Sequence, residues 1–225
     1  AGTNTLTFKS TDKTADAKAL AALDALLGAA NTDFSSVQTI TSKAADIGTN
    51  GATVIAVLNL ATVDEPAVTI TNGTISAADA AKISVATDGK VTATITPDTA
   101  ANIADTTNGL GAITTNDKDA LNITVNGATA SVDNLKLIDA KTALKVKVDA
   151  ATVTTDTYTK FEDIYVKGKN NFSNLGDENI NVTAGTITSE QADMVAKATS
   201  KEAKATIAGE TAASVVTNLK NANAK

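Results

Sequence analysis

The feature that most constrains this chain is its similarity to itself. The segment from Val68 reads VTITNGTISAADAAKISVATDGKVTATITPDTAANIADTT, and the segment from Val182 reads VTAGTITSEQADMVAKATSKEAKATIAGETAASVVTNLK. Both run in the same order: a short alternating strand, a Gly turn, Thr-Ile-Ser or Thr-Ile-Thr, a helix-like stretch, a second strand ending in Ala-Thr-Ile, and a second helix-like stretch. The segment from Ile123 fits the same frame, and the segment from Leu6 fits it more loosely. These anchors divide the chain into residues 1–64 (a divergent repeat or cap), 65–118, 119–176, and 177–225, which ends in a C-terminal cap. Each segment is doubled internally, so the elementary unit is one strand, one turn and one short helix, about 25–30 residues long.

The strands alternate in a period of two. Val91, Ala93 and Ile95 point one way, and Thr92, Thr94 and Thr96 the other. Helix starts carry Ser/Thr/Asp caps at Ser76, Thr188-Ser189 and Asp98-Thr99. Asn72-Gly73 and Asn126-Gly127 read as tight turns. One such unit cannot bury its apolar stripe alone, whereas stacked neighbours can. Strand-helix-strand connections of this kind give parallel strands. The expected fold is therefore an α/β repeat, a solenoid-like array of short parallel strands and short helices. The alternatives are a mostly-β solenoid or β-rich sandwich modules. A Leu-rich helix is expected over residues 14–30 as an end cap, and the apolar run at residues 52–60 is strand-sized.

Composition narrows the function. The 225 residues contain no His, Cys, Trp or Arg. That excludes His-based acid–base catalysis, Cys–His or Ser–His–Asp nucleophiles, zinc fingers, disulfides and arginine forks. A net charge of −6 argues against a nucleic-acid partner. No run approaches the roughly 20 apolar residues of a membrane helix, so no transmembrane segment is expected. A start at Ala1-Gly2 fits a processed export product or a piece of a longer protein.

The phrase Phe172-Ser-Asn-Leu-Gly-Asp-Glu-Asn-Ile-Asn-Val182-Thr is similar to the GLGNExVTLSD phrase in the tandem repeats of very long bacterial surface proteins. Gly109-Leu-Gly-Ala-Ile resembles a second, degraded copy, and the strands from Val68 and Lys90 resemble the same repeats' strand-turn-helix phrase. The likeness covers about residues 65–220 well. It implies an exported, extracellular protein of an S-layer, filament or adhesin, with no catalytic residues. The implied partners are further copies of the chain and, at a cell surface, cell-envelope polysaccharide.

Candidate sites follow from residue type and position. Asp46, Asp105 and Asp163 hold equivalent places in the repeat, and Asp177-Glu178 lies in an oxygen-rich loop. These are the candidate ligands of a hard cation, calcium, although none sits in an EF-hand phrase. The adjacent acidic pairs Asp64-Glu65, Glu162-Asp163 and Asp177-Glu178, read as strand neighbours, would face opposite ways and suit no glycosidase cleft. Thr-x-Thr recurs through Thr5, Thr69, Thr71, Thr92, Thr94 and Thr96, a face that an ice- or glycan-binding module would use, interrupted by Lys145 and Lys147. Thr5 and Phe8 at one end, and Val215 and Leu219 in the last helix, are the expected joining surfaces, because exposed strand edges polymerise unless blocked. Asn72, Asn122, Asn171 and Asn181 head glycosylation sequons. The chain is thus expected to be a non-enzymatic, self-assembling surface protein, with an adhesin or ice-binding module as the alternative.

Overall fold

The computed structural model describes residues 6–7, 13–28, 32–34, 36–60, 66–114 and 119–219. Their backbone is α/β, with every strand pairing parallel among the described residues. The chain divides into two compact units built from non-contiguous segments. The first takes residues 1–96, 105–122 and 140–144, and the second takes 97–104, 123–139 and 145–225.

In the first unit, β1 (Leu6–Thr7) pairs with β3 (Thr32–Asp33). A five-stranded sheet runs in sequence order through β2 (Thr14–Asp16), β4 (Thr39–Lys43), β5 (Ala67–Thr71), β6 (Val91–Thr94) and β8 (Ala120–Asn122). Its inward residues stack in register. Ile40 pairs with Val68 and Val68 with Val91, and all three are fully buried. Each such side chain contributes about 1.5–3 kcal/mol of burial. Val91, Ala93 and Ile95 are buried and Thr92 and Thr96 exposed, as the alternation predicts.

Helix α1 (Ala17–Leu27) is shorter than the expected 14–30. Asp16 starts it by accepting from the Ala19 N–H at 2.9 Å, and Gly28, at φ +81°, stops it. Residues 52–60 are a second correction, since they form helix α2 (Ala52–Leu60) rather than a strand. Val54, Val57 and Leu58 fall at helical spacing and bury one face. Gly51 precedes it at φ +71°, and a Cβ there would meet the Ile83 side chain at 2.7 Å. Helix α3 (Ala77–Val85) is capped by Ser76, which accepts from the Asp79 N–H at 3.0 Å.

The second unit holds two four-stranded sheets. One joins β7 (Asp98–Thr99), β9 (Thr124–Asn126), β11 (Val146–Val148) and β13 (Phe172–Ser173). The other joins β10 (Thr129–Ser131), β12 (Thr152–Thr155), β14 (Asn179–Val182) and β15 (Ala203–Lys204). The chain hands on three times from the first sheet to the second, at β9 to β10, β11 to β12 and β13 to β14. Ala130, Val153 and Ile180 form the buried row of the second sheet. The helices are α4 (Ala100–Ile103), α5 (Val132–Ala140), α6 (Tyr158–Glu162), α7 (Ser189–Lys197) and α8 (Ala212–Leu219). The start of α7 is a full capping box. Thr188 accepts from the Gln191 N–H at 3.1 Å, and Gln191 accepts from the Thr188 N–H at 3.0 Å. Three aromatic rings stack here, with Phe161 on Tyr165 and Tyr158 at centroid distances of 5.0 and 5.5 Å.

Candidate functional site

The acidic positions that were candidates for a cation are engaged with protein donors. Asp46 closes a short 3-10 turn in the first unit and accepts from the Lys18 ammonium at 2.7 Å. Asp163 opens a π-helical turn in the second unit and accepts from Lys136 at 2.7 Å and Lys167 at 3.4 Å. Hydrogen bonds from these lysines hold both carboxyls below their ordinary range. Asp105 is held low by the backbone N–H groups of Asn108 and Thr107, at 2.6 and 2.7 Å. Asp177 is exposed and accepts from the Ser200 hydroxyl at 3.3 Å.

Glu178 is buried and accepts from the Tyr165 hydroxyl and from the Gly176 N–H at 2.9 Å. Burial pushes its carboxyl up. Burial also raises the Tyr165 phenol, so both groups of the pair favour their neutral forms. Among the described residues, no three carboxylates come together as a cation site. Asp46 and Asp163 sit against lysines 28 and 27 residues earlier in the chain. The strand reading of Glu162-Asp163 is also corrected, because Glu162 ends α6 and Asp163 begins the π-helical turn. Asp64-Glu65 lies outside the described residues.

The polar groups that do organise the interior were missed in the sequence. Thr87, Thr142 and Thr199 are all buried. Each hydroxyl donates to a carbonyl 21 residues earlier, that of Pro66, Leu121 and Glu178 respectively. Each also accepts from the N–H two residues later, that of Gly89, Leu144 and Lys201, at 3.0–3.1 Å. Each stands two residues beyond the last residue of a helix, α3, α5 or α7. The signal was there, a Thr after each of three helix ends, but Thr is so frequent in this chain that it did not stand out. Asp119 does comparable work, accepting from the Val91 N–H at 2.8 Å while almost fully buried.

The Thr-x-Thr positions form rows only in part. Thr41, Thr69 and Thr92 are in register across β4, β5 and β6. The row continues into Asp16 on one side and Ala120 on the other. Thr71 pairs with Lys43, and Thr94 with Asn122. Thr96 donates to the Thr74 hydroxyl at 2.9 Å, and the Thr41 and Thr71 hydroxyls turn to carbonyls of neighbouring strands at 3.3 and 3.4 Å. Lys147 belongs to a sheet of the second unit, in register with Thr124 and Ser173, and Lys145 precedes that strand.

Thr5 and Phe8 lie outside the described residues. At the other terminus, β15 pairs with β14 and has its second edge open among the described residues. Beside it, Val195, Ala203, Ile207 and Leu219 line a groove of about 200 Å³. Helix α8 has no fully buried residue; Val215 and Leu219 are half-buried and Val216 is 68% exposed. Of the sequon residues, Asn72 and Asn122 are exposed, Asn171 is exposed and donates to Asp139 at 2.9 Å, and Asn181 is half-buried within β14.

A wider trough of about 380 Å³ in the first unit is lined mainly by Ile55, Ala81, Val85 and Ala112. Lys82, which shares its lining, donates to Asn50 at 2.6 Å. The described residues thus present strand edges, apolar helix faces and ion pairs. No helix among them is long and apolar enough to cross a membrane. No protein-family model, curated protein or solved structure matches the chain.

Proposed function

We propose that the chain is a non-enzymatic structural protein of an extracellular layer or filament, in which each unit is a stack of strand-helix coils and copies join through open strand edges. The observation that carries this reading is the order of the sheets. Parallel strands add in sequence order and, among the described residues, stop at an unpaired edge, β15, next to a helix that buries none of its residues fully. An edge of that kind is a template for another strand. The three threonine nodes support the coil reading, because each joins one coil to the next by the same bonds over the same 21-residue step. Export and a cell-surface setting rest on the resemblance to long bacterial surface proteins, and cell-envelope polysaccharide would be a second partner there. The Thr-face reading has weaker support, since its best row is three threonines long.

Sedimentation velocity across a wide concentration range tests self-association. The wild type is expected to shift to larger species as concentration rises, and Val216→Lys to stay monomeric, because a charge on that exposed residue leaves the fold alone. A wild type that sediments as a monomer throughout overturns the proposal.

A further inference from the structure

The chain contains four Asn-Gly steps, at Asn50, Asn72, Asn108 and Asn126. Such a step can rearrange without an enzyme. The glycine nitrogen attacks the asparagine side-chain carbonyl carbon, a C–N bond forms, and ammonia leaves with the nitrogen's proton. The resulting succinimide takes up water at one of its two carbonyls and opens to aspartate or isoaspartate. The reaction needs a mobile side-chain amide and a glycine N–H that is neither buried nor engaged.

The four steps differ in both respects. The Asn50 carboxamide oxygen is held by Lys82 at 2.6 Å. Its neighbour Gly51 is buried and donates its N–H to the Gly48 carbonyl at 3.2 Å. Gly109, after Asn108, is buried. Asn126 is locked into β9 opposite Thr99, and Gly127 sits against the Thr99 side chain. Asn72 and Gly73 are both exposed, at φ +53° and +137°, in the turn after β5. Among the described residues, neither the Asn72 side chain nor the Gly73 N–H makes a hydrogen bond.

We propose that Asn72-Gly73 is a spontaneous modification site, converting to aspartyl and isoaspartyl forms while Asn50-Gly51 is protected by Lys82 and Gly48. The conversion places a negative charge beside the end of β5, where Thr71 is in register with Lys43. The isoaspartyl form also adds a backbone atom just ahead of Ile75, whose bridge to Ile95 closes this part of the sheet. Modification would therefore loosen that bridge.

The test is peptide mapping by mass spectrometry of unglycosylated protein aged at mildly alkaline pH, with electron-transfer fragmentation to separate the two products. Conversion is expected to be at least about ten-fold faster at Asn72 than at Asn50, since a buried, bonded N–H reacts only after local opening. Lys82→Met should speed Asn50 and leave Asn72 unchanged. Equal rates at the two sites in the folded protein, or an unmodified Asn72 in protein whose denatured form reacts there, overturn the proposal.

Discussion

Thr142 shows most directly how single residues hold this fold. Its buried hydroxyl donates to the Leu121 carbonyl at 2.7 Å and accepts from the N–H of the more exposed Leu144 at 3.1 Å. Thr142→Val keeps the shape and strands both partners, which should cost about 1–3 kcal/mol in urea denaturation. Thr92→Val, on an exposed strand face, should stay within about 0.5 kcal/mol. Carboxyl groups add a pH dependence of two signs. Asp46 and Asp163 are held low by lysines, so their pairing stabilises the fold above the ordinary carboxylate range and is lost as pH falls through their depressed pKa values. Glu178 is raised by burial, so the fold is favoured while it is protonated, and that stabilisation is lost as pH rises through its raised pKa. Urea midpoints measured against pH should therefore fall less from mildly acidic to neutral pH in Glu178→Gln than in the wild type. Asp163→Asn should flatten the acid limb instead.

At the scale of elements, local chemistry predicted starts better than types. Ser76, Thr99 and Thr188 cap the helices expected of them, since each side chain accepts from the N–H three residues on. The alternation at Val91, Ala93 and Ile95 placed the buried face of β6 correctly. Residues 52–60 went the other way, because a short apolar run carries no period strong enough to separate a strand from a buried helix. Alanine content and the spacing of Val54, Val57 and Leu58 settled it as α2. The turn before α2 gives a clean contrast. Gly51→Ala forces a side chain into φ +71° and against Ile83, and should destabilise by about 1–3 kcal/mol. Gly209→Ala, with open space around it, should change thermal stability little.

At the scale of the whole molecule, the α/β class and the parallel strands were legible because short alternating strands and capped helices follow one another along the sequence. The donors that engage the candidate aspartates were not, because they depend on which groups the fold brings to each carboxylate. Lys18 and Lys136 are far from Asp46 and Asp163 in sequence and adjacent to them in space. The last helix, expected as a joining surface, is α8, in which Val216 is 68% exposed and Leu219 shares a groove with Ala203 of β15. Self-assembly through open strand edges is the central claim. Negative-stain electron microscopy of concentrated protein, with and without millimolar calcium, tests it most directly. Ordered sheets or filaments are predicted in both conditions, since Asp46 and Asp163 are already matched by lysines and Asp105 by backbone N–H groups. Dispersed monomers in both would contradict self-assembly, and polymers that form only with calcium would contradict the role given to the lysine pairs.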